Sequence, residues 1–156
     1  LVMQTLGILD AIKDPRGDEL RALQPRQQVP PSDVRRLLHG DPVPGNLICP
    51  AGAERKNPVL IDWQCPVLGD PLLDLAMFLS PAMQQIARGK PLSIAETQQF
   101  LTAYDDPETV DRLHRLQAFL HWRMAAYCLW KITRPAPDPA YATGLALERA
   151  ALVGLG

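Results

Sequence analysis

A chain of 156 residues is long enough to bury roughly 70% of its unfolded surface in one core, and 47% hydrophobic residues argues against a disordered chain. The net charge of −1 supplies no basic field for nucleic acid or an anionic membrane surface, and no run of about 18 uncharged apolar residues offers a membrane span. Cys49, Cys65 and Cys128 are odd in number and lack C-x-x-C spacing, which argues against a disulfide framework or structural zinc and fits free thiols in a reducing, cytoplasmic compartment.

The start, Leu1-Val2-Met3-Gln4, has neither an initiating methionine at position 1 nor the basic and apolar regions of a signal peptide. Residues 1–13 place Val2, Leu6, Leu9 and Ile12 close to one helical face. Asp14-Pro15-Arg16-Gly17-Asp18 breaks that helix, residues 19–23 predict a short one, and the proline- and glutamine-rich residues 24–32 read as loop. Leu37-Leu38, Leu47-Ile48-Cys49 and Val59-Leu60-Ile61 are short apolar segments bounded by turn residues and read as short strands. Between the last two, residues 50–58 carry Glu54, Arg55 and Lys56 and predict a solvated turn.

Helices fill the remainder. Residues 72–79 are apolar nearly all round apart from Asp74, the pattern of a buried helix. Ser93-Ile94-Ala95-Glu96 fits a capping box opening a helix to about Tyr104. Asp106-Pro107-Glu108 puts a cap, a first-turn proline and an acid at the next helix start. From there Val110, Leu113, Leu116, Leu120, Met124 and Tyr127 step by three or four to about Thr133. Three prolines end it, and Asp138-Pro139 starts a last helix to about Val153.

The residues able to do chemistry are concentrated between positions 37 and 77. His39-Gly40-Asp41-Pro42-Val43-Pro44-Gly45-Asn46 is too rich in proline and glycine to continue a helix or strand, and it holds a carboxylate and an amide five positions apart. A positioned carboxylate such as Asp41 can take the proton of a hydroxyl. Asn46 and Asp62 offer oxygen ligands of the kind Mg²⁺ prefers when phosphates and water complete its shell. Each also has a plainer reading, as a turn or cap residue. Asp70 fits a helix cap ahead of Pro71.

His39-Gly40-Asp41 with Asn46, then Ile61-Asp62-Trp63, then Gly69-Asp70-Pro71-x-x-Asp74-Leu75-Ala76 resembles the aminoglycoside phosphotransferase and choline kinase-like family. That family shares its C-terminal lobe with protein kinases, whose H-R-D-x-x-x-x-N loop and following metal-binding Asp match in order. The resemblance implies a mainly α fold with a few short β-strands, the C-terminal lobe of a protein-kinase-like fold. Residues 1–156 would form one such lobe: leading helices and loop over 1–32, catalytic and metal-binding loops with short strands over 33–70, and an acceptor-side helical part over 71–156. It implies ATP- and Mg²⁺-dependent phosphoryl transfer to a hydroxyl of a small molecule, with no nucleic-acid or membrane partner. Asp41 would be the catalytic base, and Asn46 and Asp62 would hold Mg²⁺ against the ATP phosphates. Asp74 would brace the loop, and His39 would pack behind it.

Val43 departs from the histidine or similar polar residue that many members carry. No Gly-rich run precedes His39, and Lys13 is the only lysine there, so the N-terminal lobe is expected to be absent and the chain to be a fragment or truncated product. The acidic cluster Asp105, Asp106, Glu108 and Asp111 could meet a cationic acceptor, although acids at a helix N-terminus are favoured there by its dipole. Trp122, Tyr127 and Trp130 could stack on a quaternary ammonium, although aromatics on a long amphipathic helix more often belong to the core. His114 and His121 read as packing or surface residues. The rival to an enzyme is an inactive helical module that binds a partner or dimerises through the surface left by the missing lobe. A metal-dependent phosphohydrolase would want more carboxylates or histidines near Asp41 and Asp62.

Overall fold

A computed structural model describes residues 1–49 and 57–155, so most of the solvated turn expected over 50–58 lies outside the described residues. Its axis is the helix opened by Asp106. Here α6 is the name for Pro107–Thr133, in a chain whose earlier helices are α1 (Val2–Asp10), α2 (Arg16–Ala22), α3 (Leu72–Leu79), α4 (Pro81–Arg88) and α5 (Ile94–Tyr104), with α7 (Ala140–Val153) last. The Asp106 side chain accepts from the Thr109 N–H, Pro107 takes the first position, and Arg134 leaves the helical conformation at the far end.

The apolar stripe foreseen on α6 widens in its middle. Phe119, Leu120, Trp122, Met124, Ala125, Ala126, Cys128 and Leu129 are all buried, because α6 is packed by α1 and α2 as well as by α3 and α7. Trp122 is fully buried, and its indole N–H donates to the Leu20 carbonyl of α2 at 2.7 Å. It therefore packs in the core rather than facing an acceptor, which removes it from the substrate-side expectation. At the other flank a Cβ on Gly144 of α7 would lie 2.9 Å from the Ala82 Cβ and 3.4 Å from the Cys128 sulfur, so three small residues let α4, α6 and α7 meet. Glu148, also fully buried, accepts from Ser80 Oγ, from the Ala82 N–H at 3.1 Å and from His121 at 2.6 Å. One carboxylate thus satisfies the start of α4 and joins it to α6 and α7, and His121 is a packing residue.

The capping box at Ser93 and Glu96 forms with both of its bonds, and α5 ends at Tyr104 as expected. Two elements were not foreseen. α4 starts at Pro81, with Ser80 as a side-chain cap, and ends at Gly89 in the left-handed region at φ 79°. The short strand β4 (Val67–Gly69) pairs antiparallel with β1 (Arg36–Leu38), while β2 (Leu47–Ile48) pairs antiparallel with β3 (Val59–Leu60). α2 begins at Arg16, earlier than its expected residue 19, because Pro15 initiates the helix instead of blocking it.

The pairing is nested. The outer pair joins Leu37 to Leu68, and the inner pair joins Leu47 to Leu60 and Ile48 to Val59. The loop 39–46 leads from β1 to β2, and the loop 61–66 leads from β3 to β4, so both chemical loops leave from the seam between the two sheets.

Candidate active site: two loops held side by side

The two loops are tied by backbone and ring contacts. The Ile61 N–H donates to the Asn46 carbonyl at 2.9 Å, extending the inner pair by one step. His39, 1% exposed, bonds the Ile61 carbonyl through Nε2 at 2.8 Å, and its Nδ1 accepts from the Asp41 N–H at 3.3 Å. Both bonds are satisfied together by the tautomer carrying its proton on Nε2. The same ring lies 4.6 Å from the Trp63 ring, centroid to centroid. His39 is therefore a spacer between the loops.

Gly40 shows why this position admits no side chain. Its φ is 82°, and a Cβ there would fall 2.2 Å from the Cys65 carbonyl oxygen. The His39 and Gly40 N–H groups both donate to the Asp74 carboxylate, at 2.7 and 3.1 Å. Asp74 occupies the first turn of α3, where the helix dipole favours an acid. α3 thus holds the start of the loop by two charge-assisted bonds.

Asn46 ends a 3-10 turn, Pro44–Asn46, and its side-chain amide donates to the Asp41 carbonyl at 2.9 Å and approaches the Asp41 carboxylate at 3.4 Å. With the amide nitrogen so engaged, the amide oxygen is the group left to accept or ligate. Asp62, next to Ile61, has φ 64°, a left-handed conformation uncommon outside glycine and best tolerated by Asn and Asp. Such outliers concentrate at functional sites. Its backbone carbonyl accepts from the Gln64 N–H at 2.9 Å, and one carboxylate oxygen accepts from the Gln64 side chain at 3.3 Å. The structure thus brings the loop of Asp41 and Asn46 against that of Asp62, two elements distant in sequence. Among the described residues no three His, Cys, Asp or Glu stand close enough together to hold a metal by themselves.

Asp70 does more than cap α3. It accepts from the Leu72 N–H, from Ser32 Oγ at 2.7 Å and from Arg112 of α6 by two bonds of 3.0 Å. Burial works to raise its carboxyl, but the bonds from Arg112, Ser32 and Leu72 outweigh it and hold the pKa below the ordinary value. Nothing in local spacing links positions 32, 70 and 112, so this pairing was not legible in the sequence.

The acidic expectations on the acceptor side separate. Asp106 spends its carboxylate on Thr109, through the N–H at 3.1 Å and the hydroxyl at 2.8 Å. It lines a cavity of about 460 Å³ behind the loop together with Pro42, Asp74 and Tyr104. Burial, and then the charges of Asp106, Asp74 and Asp70, push the Tyr104 phenol above its ordinary value. Asp105 ends α5 with φ 54° and opens with His114 onto a different cavity of about 760 Å³ between α5 and α6.

Tyr127 and Trp130, named from the sequence as rings that could stack on a cation, lie at the C-terminal half of α6, and the structure adds Lys131 and Tyr141 beside them. Lys131 Nζ stands 5.3 Å from the Tyr127 ring centre, 5.9 Å from Trp130 and 5.1 Å from Tyr141 of α7. Tyr127 is raised above its ordinary value by burial, with the negative charge of Asp41 contributing.

No curated protein and no solved structure matches the chain. The sequence model of the phosphotransferase enzyme family, APH, matches residues 9–119, a span that takes in both loops, α3, α4, α5 and the first half of α6. The chain belongs to the phosphotransferase enzyme family.

Proposed function

We propose that this chain carries out phosphoryl transfer from Mg²⁺–ATP to a hydroxyl group of a small molecule, with Asp41 as the base. The observation that supports this most is the joining of the two loops. The Asn46 amide nitrogen is committed to Asp41, and Asn46 and Asp62 flank the same backbone step. In this reading the Asp41 carboxylate takes the proton of the acceptor hydroxyl as its oxygen bonds the terminal phosphorus. The bond from that phosphorus to the bridging oxygen breaks, and ADP leaves with the electron pair.

Asn46 and Asp62 are the residues that would hold Mg²⁺. One amide oxygen and one exposed carboxylate suit a hard cation that keeps most of its shell as water and phosphate oxygen. Bound there, the ion would supply neutralisation of the phosphate charge. Asp74 and His39 are positioning residues in the same reading. They fix the loop's first amides and its spacing from residue 61, which keeps Asp41 oriented without reorganisation.

ADP release by the full chain with Mg²⁺–ATP and hydroxylated acceptors tests the proposal, beside Asp41→Ala and Asp62→Ala variants whose melting curves match the parent. Loss of turnover by at least about a hundredfold in each is expected. Transfer retained in both variants would sink it.

A second reading, a non-catalytic module that self-associates, is favoured by one observation. Leu37 and Leu68, paired across the outer strands, are 65% and 68% exposed, and Ile48 and Val59, paired across the inner ones, are 49% and 53% exposed. Sedimentation showing a monomer at high micromolar concentration would remove it.

A further inference from the structure

His121 of α6 and Glu148 of α7 line a cavity of about 380 Å³ that is walled as well by the end of α3, the start of α4 and α5. No residue of the loops 39–46 and 61–66 lines it, so it is separate from the Asp41 site. Leu79, Leu113, Leu120 and Met124 give it apolar walls, and Ser80 and Gln117 add polar groups to those of His121 and Glu148. That volume, with a mostly apolar lining and a few polar atoms, is the make-up of a small-molecule pocket. α5 supplies Thr97 and Leu101 to the wall yet buries no residue of its own, so the chain does not fill this space. Leu101 and His114 also line the larger cavity of about 760 Å³ beside Asp105, which gives a way in.

Packing accounts for only one side of His121. Ser80 Oγ accepts from the Met83 N–H at 3.1 Å and donates to Glu148 Oε1, which also takes the Ala82 N–H at 3.1 Å. The other oxygen, Oε2, lies 2.6 Å from His121 Nδ1. A carboxylate that already receives two donors is an acceptor toward the ring too, so Nδ1 carries the proton. In the neutral imidazole Nε2 is then a lone-pair acceptor. It bonds no described residue, and it is not sealed in, since Arg123 Nε is the buried side-chain nitrogen left without a partner among the described residues. Glu148 is wholly buried while the His121 side chain is 20% exposed. Satisfying Glu148 takes one donor, so the second ring nitrogen is surplus to packing.

We propose that this cavity binds a small molecule with an apolar body and a neutral hydroxyl, a phenol or an alcohol, that donates to His121 Nε2. A cation is disfavoured, because an ammonium stripped of water needs several acceptors and the Glu148 oxygens are already engaged. An anion is disfavoured because Nε2 offers it a lone pair and no proton. The assignment does not depend on Asp41 being a base.

Calorimetry on the full chain with para-propylphenol, its methyl ether para-propylanisole and para-propylbenzylammonium tests this, alongside the nitrogen NMR spectrum of the imidazole rings. The phenol is expected to bind at least about tenfold more tightly than the ether or the ammonium, since both leave Nε2 without its hydrogen bond or bring an unpaired charge. It is also expected to move the Nε2 resonance of His121 and leave that of His39 in place. His121→Asn keeps an N–H donor for Glu148 while removing Nε2, and should weaken phenol binding by at least about tenfold. Leu101→Trp fills the cavity from α5 without touching the Glu148 bonds and should abolish binding, which keeps the test open should His121→Asn unfold. Equal affinity for phenol and ether, tighter binding of the ammonium, phenol binding indifferent to a folded variant, a phenol that leaves the His121 resonance unmoved, or no phenol binding at millimolar concentration would each overturn the assignment.

Discussion

At Gly40 a left-handed φ of 82° and the Cys65 carbonyl 2.2 Å from any Cβ act together, so a methyl group there meets both a conformational and a steric penalty. The conformational part alone is about 1–2 kcal/mol for an L-residue. The steric part is relieved only by separating the two loops. Gly40→Ala should therefore lower stability by at least that amount in urea unfolding and lose phosphoryl transfer far beyond what the stability loss explains. Asp70 carries a different kind of prediction. Its folded pKa lies below the unfolded value of about 3.9, so its contribution is fully present above that value and is lost as pH falls through the lower, folded one. The variant Arg112→Met removes the two bonds that hold the value down, at a cost of about 1–3 kcal/mol at neutral pH. Its stability should then fall less steeply than the parent's as pH drops below about 4, which acid titration of the melting temperature would reveal.

Among the elements, α6 decides what is reachable. Cys128 faces Gly144 and the α4 crossing, and burial, followed by the Glu148 charge, pushes its thiol up to about 12. Cys49 and Cys65 are exposed. A thiol-reactive reagent should label Cys49 and Cys65 in the native chain and reach Cys128 only after denaturant is added. Labelling of Cys128 at the same rate as the other thiols would contradict this packing. α5, α6 and α7 were legible because their starts are written locally: Ser93 with Glu96, Asp106 with Pro107, and Asp138 with Pro139. α4 was not, since Pro81 and Gly89 read as breakers on both sides of a short segment, whereas in place they are its first residue and its left-handed cap. β4 was hidden for another reason. Val67 and Leu68 are 52% and 68% exposed, and only pairing with the distant β1 makes a strand of them. Of the candidate site, the order Asp41, Asn46, Asp62, Asp74 was visible through the motifs that carry the family resemblance, and Tyr127 and Trp130 were named as rings that could stack, but Lys131 and Tyr141 beside them were not. Tyr127, Lys131 and Tyr141 come together only when α7 folds back along α6.

Across the whole molecule, helices occupy one part and the nested strands another, with both chemical loops at their junction. Asp74 of α3 and the Asp70–Arg112 pair are the links by which the helical core reaches that junction. Among the described residues no helix is long and apolar enough to cross a membrane, since even α6 is interrupted by charges along its length. The nesting of the strands carries a kinetic consequence. Closing a loop costs only about 0.6 kcal/mol more for each doubling of its length, but the inner pair closes the shorter one and, once formed, brings β1 and β4 almost together. The inner pair should therefore form before the outer one. Stopped-flow measurements on Leu60→Ala should show slower refolding, while Leu38→Ala should chiefly hasten unfolding. The seam that holds the two loops would then be the last part of the strand region to close and the first to open.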